Sequence, residues 1–207
     1  MIVTCLDMEG VLVPEIWINV AERTGIEALR LTTRDVADYD ELMRHRLSVL
    51  DANGISLAQI QSVIAAMGPL PGAVEFLDWL RPQSQVLVLS DTFYEFAAPL
   101  VKQLGYPTLF CHNLVVDGGE IVSYQLRQPD SKREAVLAMK QLNFKVVAAG
   151  DSYNDTRMLE VADAGILVNP PPNVVAEFDQ YPVVNGFAEF KEELEVAFAH
   201  LETDSIY

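Results

Sequence analysis

The first residues of the chain able to do chemistry are Asp7 and Glu9, in the opening stretch MIVTCLDMEGVLVPE. An apolar run, Ile2 to Leu6, stops abruptly at Asp7, and Glu9-Gly10 follows before a second apolar patch, Val11 to Val13. Apolar residues bounded by a turn signal and free of flanking charges read as a buried parallel strand. A carboxylate at the carboxyl end of such a strand lies at the mouth of an open α/β sheet, where ligands bind. Asp7 is thus placed to react, with Glu9 on the loop just beyond it. The plainer alternative is that both acids cap a turn.

Later segments weigh against that alternative. Ser90 follows the apolar run QVLVL, Lys132 stands where a helix begins, and Asp151 with Asp155 follows the apolar run before Gly150. In a parallel sheet such ends fall on one edge, so two acidic segments, a hydroxyl and an ammonium converge. Each has a structural explanation alone: serine or aspartate caps helices and turns, and lysine is a common surface cation. The ordered set is far harder to obtain by accident.

The elements that must position them follow from the pattern. Between Glu15 and Met67 the spacing is helical: one helix from Ile16 to Gly25, a second from about Thr33 to Leu50, and a third from Ser56, where Ser56…Gln59 makes a capping box, to about Gly68. This block reads as a small helical cap over residues 15–71, inserted after the first strand. The remainder, 1–14 and 72–207, alternates strand and helix: helix Ala73–Leu80, strand Gln85–Leu89, a helix capped by Thr92…Glu95 that runs through Pro99, and strand Thr108–Cys111. A hairpin turns at Asp117-Gly118-Gly119, and a helix capped by Ser131…Glu134 leads to strand Lys145–Ala149. Helix Met158–Ala162, short strands Gly165–Val168 and Pro182–Val184, and a helix from about Ala188 to Leu201 close the chain. The expected fold is α/β, a Rossmann-like parallel sheet with helices on both faces and a small helical cap.

Composition bounds the rest. In 207 residues half are apolar, enough for one domain with an insertion, and no apolar run is long enough to span a bilayer. The formal net charge of −16 repels phosphodiester backbones and anionic lipid, so neither nucleic acid nor membrane is an expected partner. It suits a protein that gathers a divalent cation. Cys5 and Cys111 lie in apolar segments without a CxxC partner, which points to reduced, buried thiols and a cytoplasmic address. The amino terminus lacks the basic region of a signal peptide. His45, His112 and His200 are scattered without metal-site spacing, and Trp17, Trp79 and most phenylalanines read as core or cap packing.

In Asp7-Met8-Glu9-Gly10-Val11-Leu12, Ser90-Asp91-Thr92-Phe93, Lys132 within DSKREA, and Gly150-Asp151-Ser152-Tyr153-Asn154-Asp155, the chain resembles the haloacid dehalogenase superfamily, and within it the phosphoserine phosphatase branch. The resemblance covers nearly the whole chain. It implies that Asp7 attacks phosphorus to form an aspartyl-phosphate, with Glu9 as general acid and base. It implies Mg²⁺ held by Asp7, the main-chain carbonyl of Glu9 and Asp151, with Asp155 behind, and a phosphate site at Ser90, Asp91 and Lys132. Asn154 would donate to phosphate or substrate. Glu15 would receive the ammonium of O-phosphoserine and Arg46 its carboxylate, with Arg44 a rival two positions away.

Two departures from the family pattern stand out: glutamate at Glu9 where aspartate is usual, and Asp91-Thr92 where the branch typically carries two glycines. Both look like the offshoot that passes the phosphoryl group from phosphoserine to homoserine. A receiver-type signalling module carries its phosphorylated aspartate later in the chain and lacks a helical insertion. A dehalogenase would have no use for the metal set Glu9, Asp151 and Asp155. A catalytically silent binding protein would not need functional side chains at all four motifs.

Overall fold

The structure is a computed structural model that describes residues 1–32, 35–36 and 39–203. Seven strands form one sheet: β1 (Ile2–Asp7), β2 (Gln85–Phe93), β3 (Thr108–Asp117), β4 (Glu120–Gln125), β5 (Lys145–Gly150), β6 (Ala164–Val168) and β7 (Val183–Val184). Their order is β4-β3-β2-β1-β5-β6-β7, parallel throughout except for the β3–β4 hairpin at one edge. β1 lies at the centre, and all six of its residues are buried. With β2 and β5 on either side, its carboxyl end is the natural crevice of the sheet.

The alternation of β1 separates two cores. Ile2 and Leu6 join the cluster containing Phe76 and Phe190, from α4 (Ala73–Leu80) and α9 (Gly186–Thr203). Val3 and Cys5 face the opposite cluster, with Val136 of α6 (Ser131–Gln141) and Met158 of α7 (Thr156–Val161). Phe76 stacks on Phe190 with ring centroids 4.7 Å apart.

The helical block after β1 contains α1 (Ile16–Thr24), a 3-10 turn at Glu27–Arg30, α2 (Tyr39–Ala52) and α3 (Leu57–Ala65). The Ser56–Gln59 capping box forms in both directions at the start of α3. The remaining helices are α5 (Tyr94–Gln103), which runs through Pro99, and α8 (Pro172–Glu177).

Several expectations are corrected. Of the second helix, expected from about Thr33, Thr33 itself lies outside the described residues, Val36 is not helical, and α2 begins at Tyr39. The Thr92…Glu95 capping box does not form. β2 continues to Phe93, and Glu95 instead accepts from the Leu114 N–H at 2.9 Å, tying α5 to β3. Nor does Ser131…Glu134: the residue before α6 is Asp130, in a left-handed conformation, and Ser131 already lies inside the helix. β3 extends well beyond Cys111, because antiparallel pairing with β4 satisfies its outer half. α8 carries too short a periodic signal to be read from sequence.

Candidate active site

At the carboxyl ends of β1, β2 and β5 opens a cavity of about 520 Å³. Nine of the ten residues singled out from sequence line it: Asp7, Glu9, Glu15, Arg46, Ser90, Asp91, Lys132, Asp151 and Asn154. Asp155, fully buried, stands immediately behind.

The centre is an ion cluster. Lys132 Nζ donates to Asp7 Oδ1 at 2.8 Å and to Asp155 Oδ1 at 2.7 Å, and lies 3.7 Å from Asp91 Oδ2. Burial alone would lower the Lys132 ammonium, but Asp155, Asp7 and Asp91 outweigh it and hold it well above the usual lysine range. Asp7 Oδ1 also accepts from the Met8 N–H at 2.7 Å. Two donors thus fix one oxygen of Asp7 and leave Oδ2 without a hydrogen bond among the described residues.

Asp155 organises the next loop. Its Oδ2 accepts from the N–H groups of Asp151 and Ser152, both at 3.1 Å. Gly150 is demanded here, since a Cβ at that position would come within 2.3 Å of the Asp155 side chain. Gly10 has φ of +76°, and a Cβ there would lie 2.5 Å from Asp151 Oδ2. The glycine therefore combines a left-handed turn with close approach to an acid.

Carboxylate oxygens of Asp7, Asp151 and Asp155 lie within 4.8 Å of one another. Burial, then the neighbouring Asp155, pushes Asp151 up to about 6 and Asp7 well above the carboxylate range, although Lys132 opposes both. Three buried acids sharing one lysine form an under-neutralised oxygen donor set. That set fits a hard divalent cation such as Mg²⁺. Asp155 comes closer to this group than expected for an acid merely behind the metal, while its oxygens are already engaged by Lys132 and the loop N–H groups.

Glu9 lies past the end of β1, its Oε2 accepting from the Ile16 N–H at 2.8 Å at the start of α1. Burial, then the charge of Glu15, pushes the Glu9 carboxyl up to about 8 against the opposing Ile16 N–H and Arg46. The shift favours its protonated form at neutral pH. Ser90 lies in the irregular end of β2, where the register with β3 shifts between Leu89 and Phe93, and its Oγ accepts from the Thr92 N–H at 3.3 Å.

Asp91 is a hub. Asn154 Nδ2 donates to it at 3.0 Å, Ser131 Oγ at 3.4 Å, and His112 Nε2 lies 3.6 Å away. Burial would raise the Asp91 carboxyl, but Lys132, His112 and Asn154 hold it below the ordinary range. Asn154, expected to donate to phosphate or substrate, here donates to Asp91 and accepts from Ser152 Oγ at 2.5 Å.

The helical block supplies the roof. Arg46 is buried and lines the cavity, whereas the rival Arg44 is exposed and hydrogen-bonds the Asp40 carbonyl of its own helix. Burial lowers the Arg46 guanidinium to about 10 against the charge of Glu9, and its Nε has no hydrogen-bond partner among the described residues. Glu15 lies at the N-terminal boundary of α1 and makes no capping bond there.

Sequence reasoning missed other residues of the site. Tyr39 donates from its hydroxyl to the Asp91 carbonyl at 3.0 Å, joining α2 to the end of β2. His112 is a buried partner of Asp91 that also accepts from the Arg127 N–H through Nδ1. Asn173 reaches the wall on α8. Such contacts span long sequence separations and leave no periodic signal. Cys5 and Cys111 are free and buried, and burial pushes both thiols up to about 12.

Comparison with known proteins identifies the family. The family model for haloacid dehalogenase-like hydrolases matches residues 4–163. A phosphoserine phosphatase of Pseudomonas syringae pv. tomato is 62% identical over 192 residues, covering 92% of this chain and 81% of that protein. Phosphoserine phosphatase ThrH of Pseudomonas aeruginosa is 59% identical over 192 residues, covering 92% and 94% respectively. The crystal structure of phosphoserine phosphatase from T. onnurineus matches with a TM-score of 0.69 at 25% identity, covering 91% of each chain. The chain belongs to the haloacid dehalogenase-like hydrolases, in the branch that contains the phosphoserine phosphatases.

Proposed function

We propose that this enzyme is a Mg²⁺-dependent phosphoserine phosphatase working through an aspartyl-phosphate on Asp7, and that homoserine competes with water for the phosphoryl group. The observation that carries this reading is the Asp7–Lys132–Asp155 cluster, buried at the cavity floor, with the Asp7 oxygen away from Lys132 left to react. The relatives named phosphoserine phosphatase support the substrate.

In the first step Asp7 Oδ2 forms a bond to phosphorus as the bond from phosphorus to the seryl oxygen breaks. Glu9, protonated at neutral pH, gives its proton to that oxygen and serine leaves. In the second step Glu9 takes a proton from water or from the homoserine hydroxyl as that oxygen attacks phosphorus. The acyl-phosphate bond then breaks, restoring the Asp7 carboxylate and giving inorganic phosphate or phosphohomoserine. Lys132 stays paired with Asp7 Oδ1 and screens two approaching anions. Ser90 and Lys132 hold the phosphate oxygens. Asp7, Asp151 and the Glu9 carbonyl would hold Mg²⁺, with Asp155 behind them, and the ion would supply the positive charge that lets a carboxylate meet a phosphate dianion.

In this reading residues 15–71 form a substrate cap over a core of 1–14 and 72–207. Glu15 receives the substrate ammonium. The buried Nε of Arg46, unpartnered among the described residues, is a donor that a substrate carboxylate would satisfy. Asp91 and Asn154 shape the phosphate side of the pocket. No helix among the described residues is long and apolar enough to cross a membrane, and the free buried thiols support a cytoplasmic setting.

The test is incubation with O-phosphoserine and Mg²⁺, with and without homoserine, following inorganic phosphate and phosphohomoserine. Both products are expected, in proportions that shift with homoserine. Phosphate release indifferent to homoserine, with no phosphohomoserine, would remove the transfer activity and leave a phosphatase. No turnover of O-phosphoserine would overturn the substrate.

A further inference from the structure

None of the ion pairs among the described residues involves Arg46, although its guanidinium is buried. Among the described residues its polar contacts are a hydrogen bond from Nη2 to the Leu31 carbonyl at 2.8 Å and a weak one from Nη1 to Met43 sulfur at 3.8 Å. Beside that hydrogen bond, the group is held by an aromatic face. The guanidinium carbon lies 4.5 Å from the ring centre of Trp17, which is 7% exposed and also lines the cavity.

A carboxylate in that place would occupy the in-plane N–H donors of the arginine and neutralise it. An indole face attracts the same charge from above the plane and leaves the edge donors available to a ligand. Trp17 is itself held from behind. Its ring meets Phe96 edge-on at 5.4 Å, and Phe96 meets Phe93 edge-on at 5.7 Å. Phe93 ends the strand that carries Ser90. A chain of edge-on aromatic contacts therefore links the end of the strand that carries Ser90 to the guanidinium in the roof of the cavity.

We propose that Trp17 is a positioning residue for carboxylate recognition: with Phe93 and Phe96 it holds Arg46 at a fixed distance from the phosphate site and leaves its donors open. This selects small phosphate monoesters that carry a carboxylate. The inference rests on the reading of Arg46 as the carboxylate partner.

The experiment compares O-phosphoserine with O-phosphoethanolamine, the same ester without the carboxylate, in wild type, Trp17→Leu, Trp17→Phe, Arg46→Ala and the Trp17→Leu/Arg46→Ala double variant. Wild type should favour O-phosphoserine in kcat/KM. Trp17→Leu should lower that preference about tenfold, mainly through KM, as expected for loss of a buried cation–π contact. Trp17→Phe, which keeps a ring face, should retain most of it. In the Arg46→Ala background Trp17→Leu should have little further effect on the preference, because its action runs through the arginine.

An equal loss for both substrates in Trp17→Leu, or the same loss of preference with and without Arg46, would overturn the role of Trp17 alone. If Arg46→Ala left the wild-type preference intact, the carboxylate reading of Arg46 would fail and the inference with it.

Discussion

At the level of single residues, the site combines groups that are each costly to bury and acceptable only together. Lys132 and three aspartates share one desolvated space, and removing the lysine would leave buried acids without a counter-charge. Asp7→Asn keeps the shape but removes the carboxylate proposed to attack phosphorus. Phosphate release should fall by roughly three orders of magnitude or more, and full activity in this variant would refute covalent catalysis at Asp7. Arg46→Ala removes a charged donor whose counterpart would be the substrate. KM for O-phosphoserine should rise about tenfold to a hundredfold with a much smaller change in kcat. Unchanged kinetics would take Arg46 out of the pocket. Asp91 was legible as an oddity of sequence, but its hydrogen-bonded neighbours, His112 and Asn154, were visible only in three dimensions.

At the level of elements, each reactive group is delivered by the end of a strand or the start of a helix, and glycines set how closely those ends approach. Gly10→Ala introduces a Cβ at 2.5 Å from Asp151 Oδ2 on a backbone of φ +76°, so the acid must move. The expected result is a several-fold higher Mg²⁺ requirement in activity titrations, and an unchanged requirement would show that Asp151 tolerates the shift. The element pattern was largely readable because β1, β2 and β5 are buried apolar runs, and α1, α3 and α4 carry clear start or stop signals. It failed where tertiary pairing overrode a local signal. Thr92 and Glu95 have the spacing of a capping box, yet continued β2 pairing and the Glu95–Leu114 bond won.

At the level of the whole molecule, the metal-free protein should be strained by its own charge. Glu9 and Asp151 have carboxyls raised from 4.5 to about 8 and from 3.8 to about 6, so the folded state binds more protons than the unfolded chain over this range. Their contribution to stability is therefore full at low pH and declines as pH rises from about 4 to 8. Melting temperature of the EDTA-treated protein should show this decline, and Asp151→Asn should flatten part of it. Added Mg²⁺ should raise the melting temperature most near pH 8, since it binds the folded, ionised site. EDTA should abolish phosphate release and Mg²⁺ restore it. Activity surviving EDTA would remove the cation from the reaction.

By itself the sequence determined the α/β alternation, the helical block after the first strand, and the residues at the reactive rim. Those depend on periodicity, local turn chemistry and the burial of apolar runs, which neighbouring residues encode. Only the tertiary structure decided that Arg46 rather than Arg44 enters the cavity, that Asn154 turns to Asp91, and that Trp17 lies beneath the guanidinium. These are contacts between segments far apart in the chain. They are fixed by how helices pack over the sheet, which local spacing does not specify.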